Sequence, residues 1–215
     1  MTNSKIHTTM KLQFGELRIT PRVVDRLHEL DFTVPELEDA INEHKSELDG
    51  EPSVYCGTYH KYNEGSLRGL WVSLSSFDDY DDFINFCNAI HADESDPELM
   101  FQDYENFPRC WYSESCFGRE TFDKIKQYEE LCDEYSQEAV DAFLDWKDED
   151  SLDSFKECYY REAKDEEDFA WDYVHEMYDL SKMQGLENYI DYKKFADELF
   201  MEDFHFDNGF VFRSS

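Results

Sequence analysis

The chain has 215 residues and a formal charge of −32 at pH 7, from 20 Lys+Arg against 52 Asp+Glu, and 17% of its residues are aromatic. Nucleic acid is excluded as a partner, because binding it needs basic surface, and an anionic membrane is disfavoured for the same reason. The aromatic load excludes intrinsic disorder, and the length suits one large domain or two to three small ones.

A solubility surface needs a net charge of only about 2–8 for a small domain, so −32 asks for a further reason. Halophilic adaptation would bring fewer bulky aromatics and fewer lysines than this chain has. A calcium loop of the D-x-[DN]-x-[DN]-G type does not occur; its nearest fragment, Asp207-Asn208-Gly209, lacks the preceding carboxylates. The six cysteines, at 56, 87, 110, 116, 132 and 158, form no C-x-x-C pair and no Cys/His set with zinc spacing. No metal and no cofactor are therefore expected. The start MTNSKIHTTMKLQ has no apolar signal region and no run is long enough for a membrane span, so reduced thiols in a cytoplasm are the expectation.

In chain order, residues 1–10 read as a frayed polar start and 14–19 (FGELRI) as a short strand. Thr20-Pro21 then opens a helix near 21–30, and Val34-Pro35 opens a second whose apolar residues are Leu37, Ala40, Ile41 and Leu48. Residues 49–53, with Gly50 and Pro52, read as a linker. Up to residue 53 there are 6 Lys+Arg against 11 Asp+Glu, so the remaining 14 against 41 hold most of the excess. Residues 54–62 suggest a strand, Asn63-Glu64-Gly65 a turn, and 69–74 the returning strand.

The stretch from Phe77 to Glu105 is the densest in charge, with ten Asp or Glu and no Lys or Arg. They are Asp78, Asp79, Asp81, Asp82, Asp93, Glu94, Asp96, Glu98, Asp103 and Glu105, threaded with Phe77, Phe83, Phe86, Ile90 and Phe101. Ser76 is the expected N-cap of a helix over 78–90, and Asp78 and Asp79 in its first turn would complement the helix dipole. Residues 99–104 read as a third strand. A folded element that repels itself destabilises the compact state, which points to a partner that uses the negative field.

Residues 115–163 read as consecutive helices, with Ser136 capping one and Ser151 another. Over 165–180, Phe169, Ala170, Tyr173, Val174, Met177 and Tyr178 form an apolar helical face. Opposite lie Asp165, Asp168, Asp172, Glu176 and Asp179, a stripe about 21 Å long with a charge every 5 Å or so. One DNA strand carries a charge about every 3.4 Å; a solvated face is the ordinary explanation of such a stripe taken alone, and its agreement with the acidic run from Phe77 to Glu105 is what points beyond it. A helix from Tyr192 and a hairpin of Phe204–Phe206 and Phe210–Phe212 around Asn208-Gly209 close the chain.

No nucleophile elbow, P-loop or G-x-G-x-x-G occurs, and His175-Glu176 lacks the second histidine of H-E-x-x-H. With 52 carboxylates, acid/base pairing has no specificity. The chain reads as a non-enzyme of α+β class: a small antiparallel sheet with one helix, then a helical segment, then an α/β C-terminal part ending in a hairpin.

The run Tyr55-Cys56-Gly57-Thr58-Tyr59-His60-Lys61-Tyr62-Asn63-Glu64-Gly65-Ser66, followed by Gly69-Leu70-Trp71, resembles the opening of the ArdA antirestriction proteins. Residues 96–105 (DPELMFQDYE), 189–192 (YIDY) and 209–212 (GFVF) are similar to the same family. The resemblance covers roughly 54–213; residues 1–53 extend beyond the usual family start. It implies an elongated monomer of three small parts, here 54–112, 113–163 and 164–215, the last dimerising; residues 1–53 read as an additional N-terminal module. It also implies a plasmid- or transposon-borne acidic DNA mimic that occupies the DNA-binding groove of Type I restriction-modification enzymes, on their methyltransferase core. The fifteen carboxylates named above are the expected partner-binding residues. The expected homodimer contact comprises Tyr173, Met177, Tyr178, Leu180, Leu186, Tyr189, Ile190 and Tyr192, with packing inside the monomer as the competing role. The rival reading is an acidic chaperone-like binder of basic DNA-binding or nucleoid proteins.

Overall fold

In the computed structural model the described residues are 8–12 and 15–19 (backbone), 27–28, 33, 35–37, 50–114, 117–148, 151–183 and 185–214. The chain divides into two compact units, Met1–Glu129 and Glu130–Ser215.

The first unit begins with β1 (Thr8–Leu12) antiparallel to β2 (Gly15–Ile19). The start read as frayed through residue 10 is thus a strand from Thr8 on. Leu27 and Leu37 are fully buried. At the entry to the second N-terminal helix, Thr33 N donates to Glu36 Oε2 at 2.8 Å and Glu36 N to Thr33 Oγ1 at 3.4 Å, a reciprocal capping box. The remainder of the two helices expected there lies outside the described residues.

A three-stranded antiparallel sheet follows, made of β3 (Ser53–Thr58), β4 (Leu70–Ser73) and β5 (Leu99–Glu105) in the order β4-β3-β5. The strand expected over 54–62 stops at Thr58. Its hydroxyl accepts from Lys61 N and starts a short helix, α1 (Tyr59–Asn63). Helix α2 (Tyr80–Ile90) buries Phe83, Phe86, Cys87, Ala89 and Ile90. Its N-cap is Asp79, not Ser76, because the Asp79 carboxylate reaches the amides of Asp81 and Asp82 at 2.8 and 3.0 Å. The first-turn acids are accordingly Asp81 and Asp82. Phe83 anchors the unit: its ring meets Phe77, Tyr80, Phe101, Phe117 and Phe122 with centroids 5.6–6.2 Å apart. Gly69 precedes β4 because a Cβ there would stand 2.4 Å from the Cys56 carbonyl oxygen.

The boundary between the units falls inside α3 (Arg119–Glu134). The second unit continues with α4 (Gln137–Trp146), capped by Ser136 on the Ala139 amide as expected, and a short α5 (Phe155–Cys158). The all-helical reading of 115–163 fails at its end: Tyr159–Glu162 is a strand, β6, drawn into a sheet by β8 (Phe210–Arg213). That pairing is 50 residues away in sequence and leaves no local signal. β7 (Phe204–Asp207) completes the order β6-β8-β7. The terminal hairpin turns at Asn208 and Gly209, with φ of 48° and 93°; both values suit the left-handed turn expected from Asn-Gly. Helices α6 (Glu166–Met177) and α7 (Tyr192–Glu202) complete the unit, whose core holds Phe169, Ala170, Ala196, Leu199, Phe204 and Val211. The fold is α+β, with two small antiparallel three-stranded sheets and a terminal hairpin.

Candidate functional site

The nominated carboxylates of the first unit fall into two sets. Asp78, Asp82, Asp96, Glu98, Asp103 and Glu105 are exposed and make no ion pair among the described residues. Asp103 and Glu105 owe their outward position to a β-bulge. The pairing steps from Tyr55–Asp103 to Cys56–Phe101, skipping Gln102, so Phe101 turns into the core while the two acids face out.

The others serve the fold. Asp79 caps α2, and Asp81 pairs with Arg119 at 2.7 Å. Asp93 and Glu94 converge on the buried Lys61, whose Nζ lies 2.9 Å from Asp93 Oδ1, 2.8 Å from Glu94 Oε1 and 2.9 Å from His91 Nδ1. Thr58 Oγ1 donates to Glu94 Oε1 at 2.7 Å, and Arg68 Nη1 reaches Asp93 Oδ2 at 3.4 Å. Partial burial raises the pKa of both carboxyls, but the hydrogen bond and charge of Lys61 outweigh it, so each sits below the usual carboxylate value. An ammonium only donates, so His91 Nδ1 accepts from Lys61 and its Nε2–H donates to the Cys56 carbonyl, 3.3 Å away. The neighbouring Cys87 thiol is fully buried, and desolvation with the adjacent Cys56 pushes it well up. Sequence reading missed this cluster. His91-Ala92-Asp93-Glu94 has ligand-like spacing, but its centre, Lys61, is 30 residues upstream.

In the second unit the expected stripe is partly neutralised. Asp165 caps α6 on the Asp168 amide at 2.9 Å, and Asp168 is exposed. Arg161, from β6, bonds Glu176 and lies 3.6 Å from Asp172. Asp179 follows the helix; hydrogen bonds from Ser181 and Lys182 hold its carboxyl below the usual value.

Of the nominated dimer contacts, Tyr173 is half-buried and its ring packs on Phe169 and Phe204. Met177, Tyr178 and Tyr189 are exposed by 60%, 55% and 84%, so the apolar face expected of 165–180 is buried only through Val174. Leu180, Ile190 and Tyr192 are half-buried, and the Leu186 side chain lies outside the described residues. In the second unit Trp171, at 48%, and Met201, at 77%, are also exposed and went unnominated. Trp171 stacks on His175 at 3.8 Å, and His175 on Tyr192 at 6.0 Å. The signal for Trp171 was a large aromatic on the polar side of the helical pattern.

Among the described residues no helix is long and apolar enough to cross a membrane. Fold and surface together define a class: an acidic α+β protein whose distinguishing groups are outward-facing carboxylates held on small compact units. Within that class the chain belongs to the ArdA antirestriction family, whose model, described as antirestriction protein (ArdA), matches residues 54–212. The match includes every nominated carboxylate and leaves the N-terminal segment outside it. No curated protein and no solved structure matches the chain.

Proposed function

We propose that this antirestriction protein is a non-catalytic DNA mimic that occupies the DNA-binding groove of a Type I restriction-modification enzyme. Restriction and modification would both stop, since both need the groove filled by DNA. The observation that carries the reading is the set of exposed acids unpaired among the described residues of the first unit: Asp78, Asp82, Asp96, Glu98, Asp103 and Glu105. The match to an antirestriction family over these residues supports it. A basic channel built for a duplex meets two negative charges per base pair, and a folded mimic presents charge without the cost of bending DNA.

Trp171, Met177, Tyr178, Tyr189 and Met201 are exposed large apolar residues of the second unit, and a homodimer through that unit would cover them. On this reading the protein acts in the cytoplasm, where its target works, and is carried by a mobile element that profits from evading restriction.

Dispersed surface charges contribute little one at a time. Any single Asp→Asn or Glu→Gln change among the six therefore leaves inhibition of a Type I methyltransferase within about twofold. Neutralising Asp78, Asp82, Asp96, Glu98, Asp103 and Glu105 together raises the inhibitory concentration by at least tenfold while circular dichroism stays unchanged. A single substitution that abolished inhibition in a folded protein would contradict dispersed mimicry.

A further inference from the structure

The Lys61 cluster has the architecture of a metal site with an ammonium in the metal's place. His91 Nδ1, Asp93 Oδ1 and Glu94 Oε1 surround Lys61 Nζ at 2.9, 2.9 and 2.8 Å. One ligand atom from each of the three side chains lies within 4.8 Å of the others. The centre is buried, with His91 2% exposed and Lys61 8%, while Glu94 is half-buried and Asp93 opens to solvent. The outer hydrogen bonds point the same way. Metal-ligating histidines hand their second ring nitrogen to a carbonyl or carboxylate, which fixes the tautomer and aims the lone pair at the ion. Here His91 Nε2–H donates to the Cys56 carbonyl and leaves Nδ1 open toward the centre. Thr58 Oγ1 steadies Glu94, and Arg68 steadies the second oxygen of Asp93.

We propose that His91, Asp93 and Glu94 form a divalent-cation seat of the zinc class that Lys61 keeps closed. One imidazole and two carboxylates are ligands zinc accepts, with a fourth tetrahedral position left to water. Zinc bonds to nitrogen and oxygen are about 2.0–2.2 Å, so each donor moves inward by about 0.6–0.9 Å when the ion replaces the ammonium. Two carboxylates against one divalent ion leave the seat neutral, whereas against Lys61 it keeps one negative charge, offset by Arg68 at the rim. The wild-type seat is closed to metal because an ion must first expel a buried ammonium held by two carboxylates. Removing that side chain opens it.

The test is Lys61→Ala, purified in chelator and titrated with Zn2+ by calorimetry and with Co2+ by visible absorption. The expected result is one Zn2+ per chain, a tetrahedral cobalt spectrum, and a melting temperature that climbs with zinc concentration. Wild type shows none of these at the same concentrations, and adding His91→Ala to Lys61→Ala abolishes them. If Lys61→Ala is unfolded without metal, the titration is read as metal-induced refolding by circular dichroism. Failure of folded or unfolded Lys61→Ala to take up either ion overturns the proposal. So does equal uptake by wild type, which would show that Lys61 does not close the seat. None of these readouts depends on a restriction enzyme.

Discussion

Phe83 shows how much a single side chain carries in the first unit. It is fully buried, and five aromatic rings from α2, β5 and the segments around Phe77, Phe117 and α3 meet on it. Phe83→Ala removes the ring and leaves a cavity that rigid neighbours cannot close, so it should cost about 3–5 kcal/mol of unfolding free energy, read by urea denaturation. Loss of less than about 1 kcal/mol would mean that the rings repack freely. At this scale the sequence was legible where the cue was apolar. Phe83, Phe86, Ile90 and Phe101 stood out in an acidic run and all are buried. The polar cues were harder to read. Asp93 and Glu94 look like their exposed neighbours in sequence, and only the fold brings Lys61 between them.

At the scale of elements, acidic residues have distinct roles that net charge hides. Asp79 caps α2 and Asp165 caps α6, each by accepting from amides of the first turn. The cap needs an acceptor oxygen, not a charge, so two substitutions at one position separate the roles. Asp79→Asn should leave stability nearly unchanged, while Asp79→Ala should lower it by about 1 kcal/mol in thermal or chemical unfolding. Equal losses in both would show that the charge on the helix dipole, rather than the cap, matters there. Element type was legible wherever periodicity was strong: α2, α6, α7 and the Asn208-Gly209 hairpin fall close to where the pattern set them. Boundaries moved where side-chain capping decided them, as at Thr58 and Asp79, and β6 was missed because its partner β8 is distant in sequence.

At the scale of the whole molecule, the excess of 52 acidic over 20 basic residues sets the behaviour. The structure divides that excess. Arg161 takes Asp172 and Glu176, Lys61 takes Asp93 and Glu94, and Arg119 takes Asp81. On the proposed mimicry, the negative field offered to a partner would come from fewer groups than the sequence suggests, and more from the six unpaired acids of the first unit than from the α6 stripe. Sequence spacing could not make that distinction, because the basic residues that neutralise these acids sit on other elements.

The most direct test of DNA mimicry is competition on a Type I methyltransferase core. Labelled duplex bound to the core is titrated with this protein at low and at physiological salt, with an unrelated basic protein in excess. Screening at physiological ionic strength acts over about 8 Å, so a diffuse polyanion loses its hold there while a surface fitted to the groove keeps close contacts. Mimicry predicts displacement near one protein dimer per enzyme that survives both the salt and the basic competitor. Displacement only at large excess and low salt, or its loss to the competitor, would contradict it and leave general binding of basic proteins.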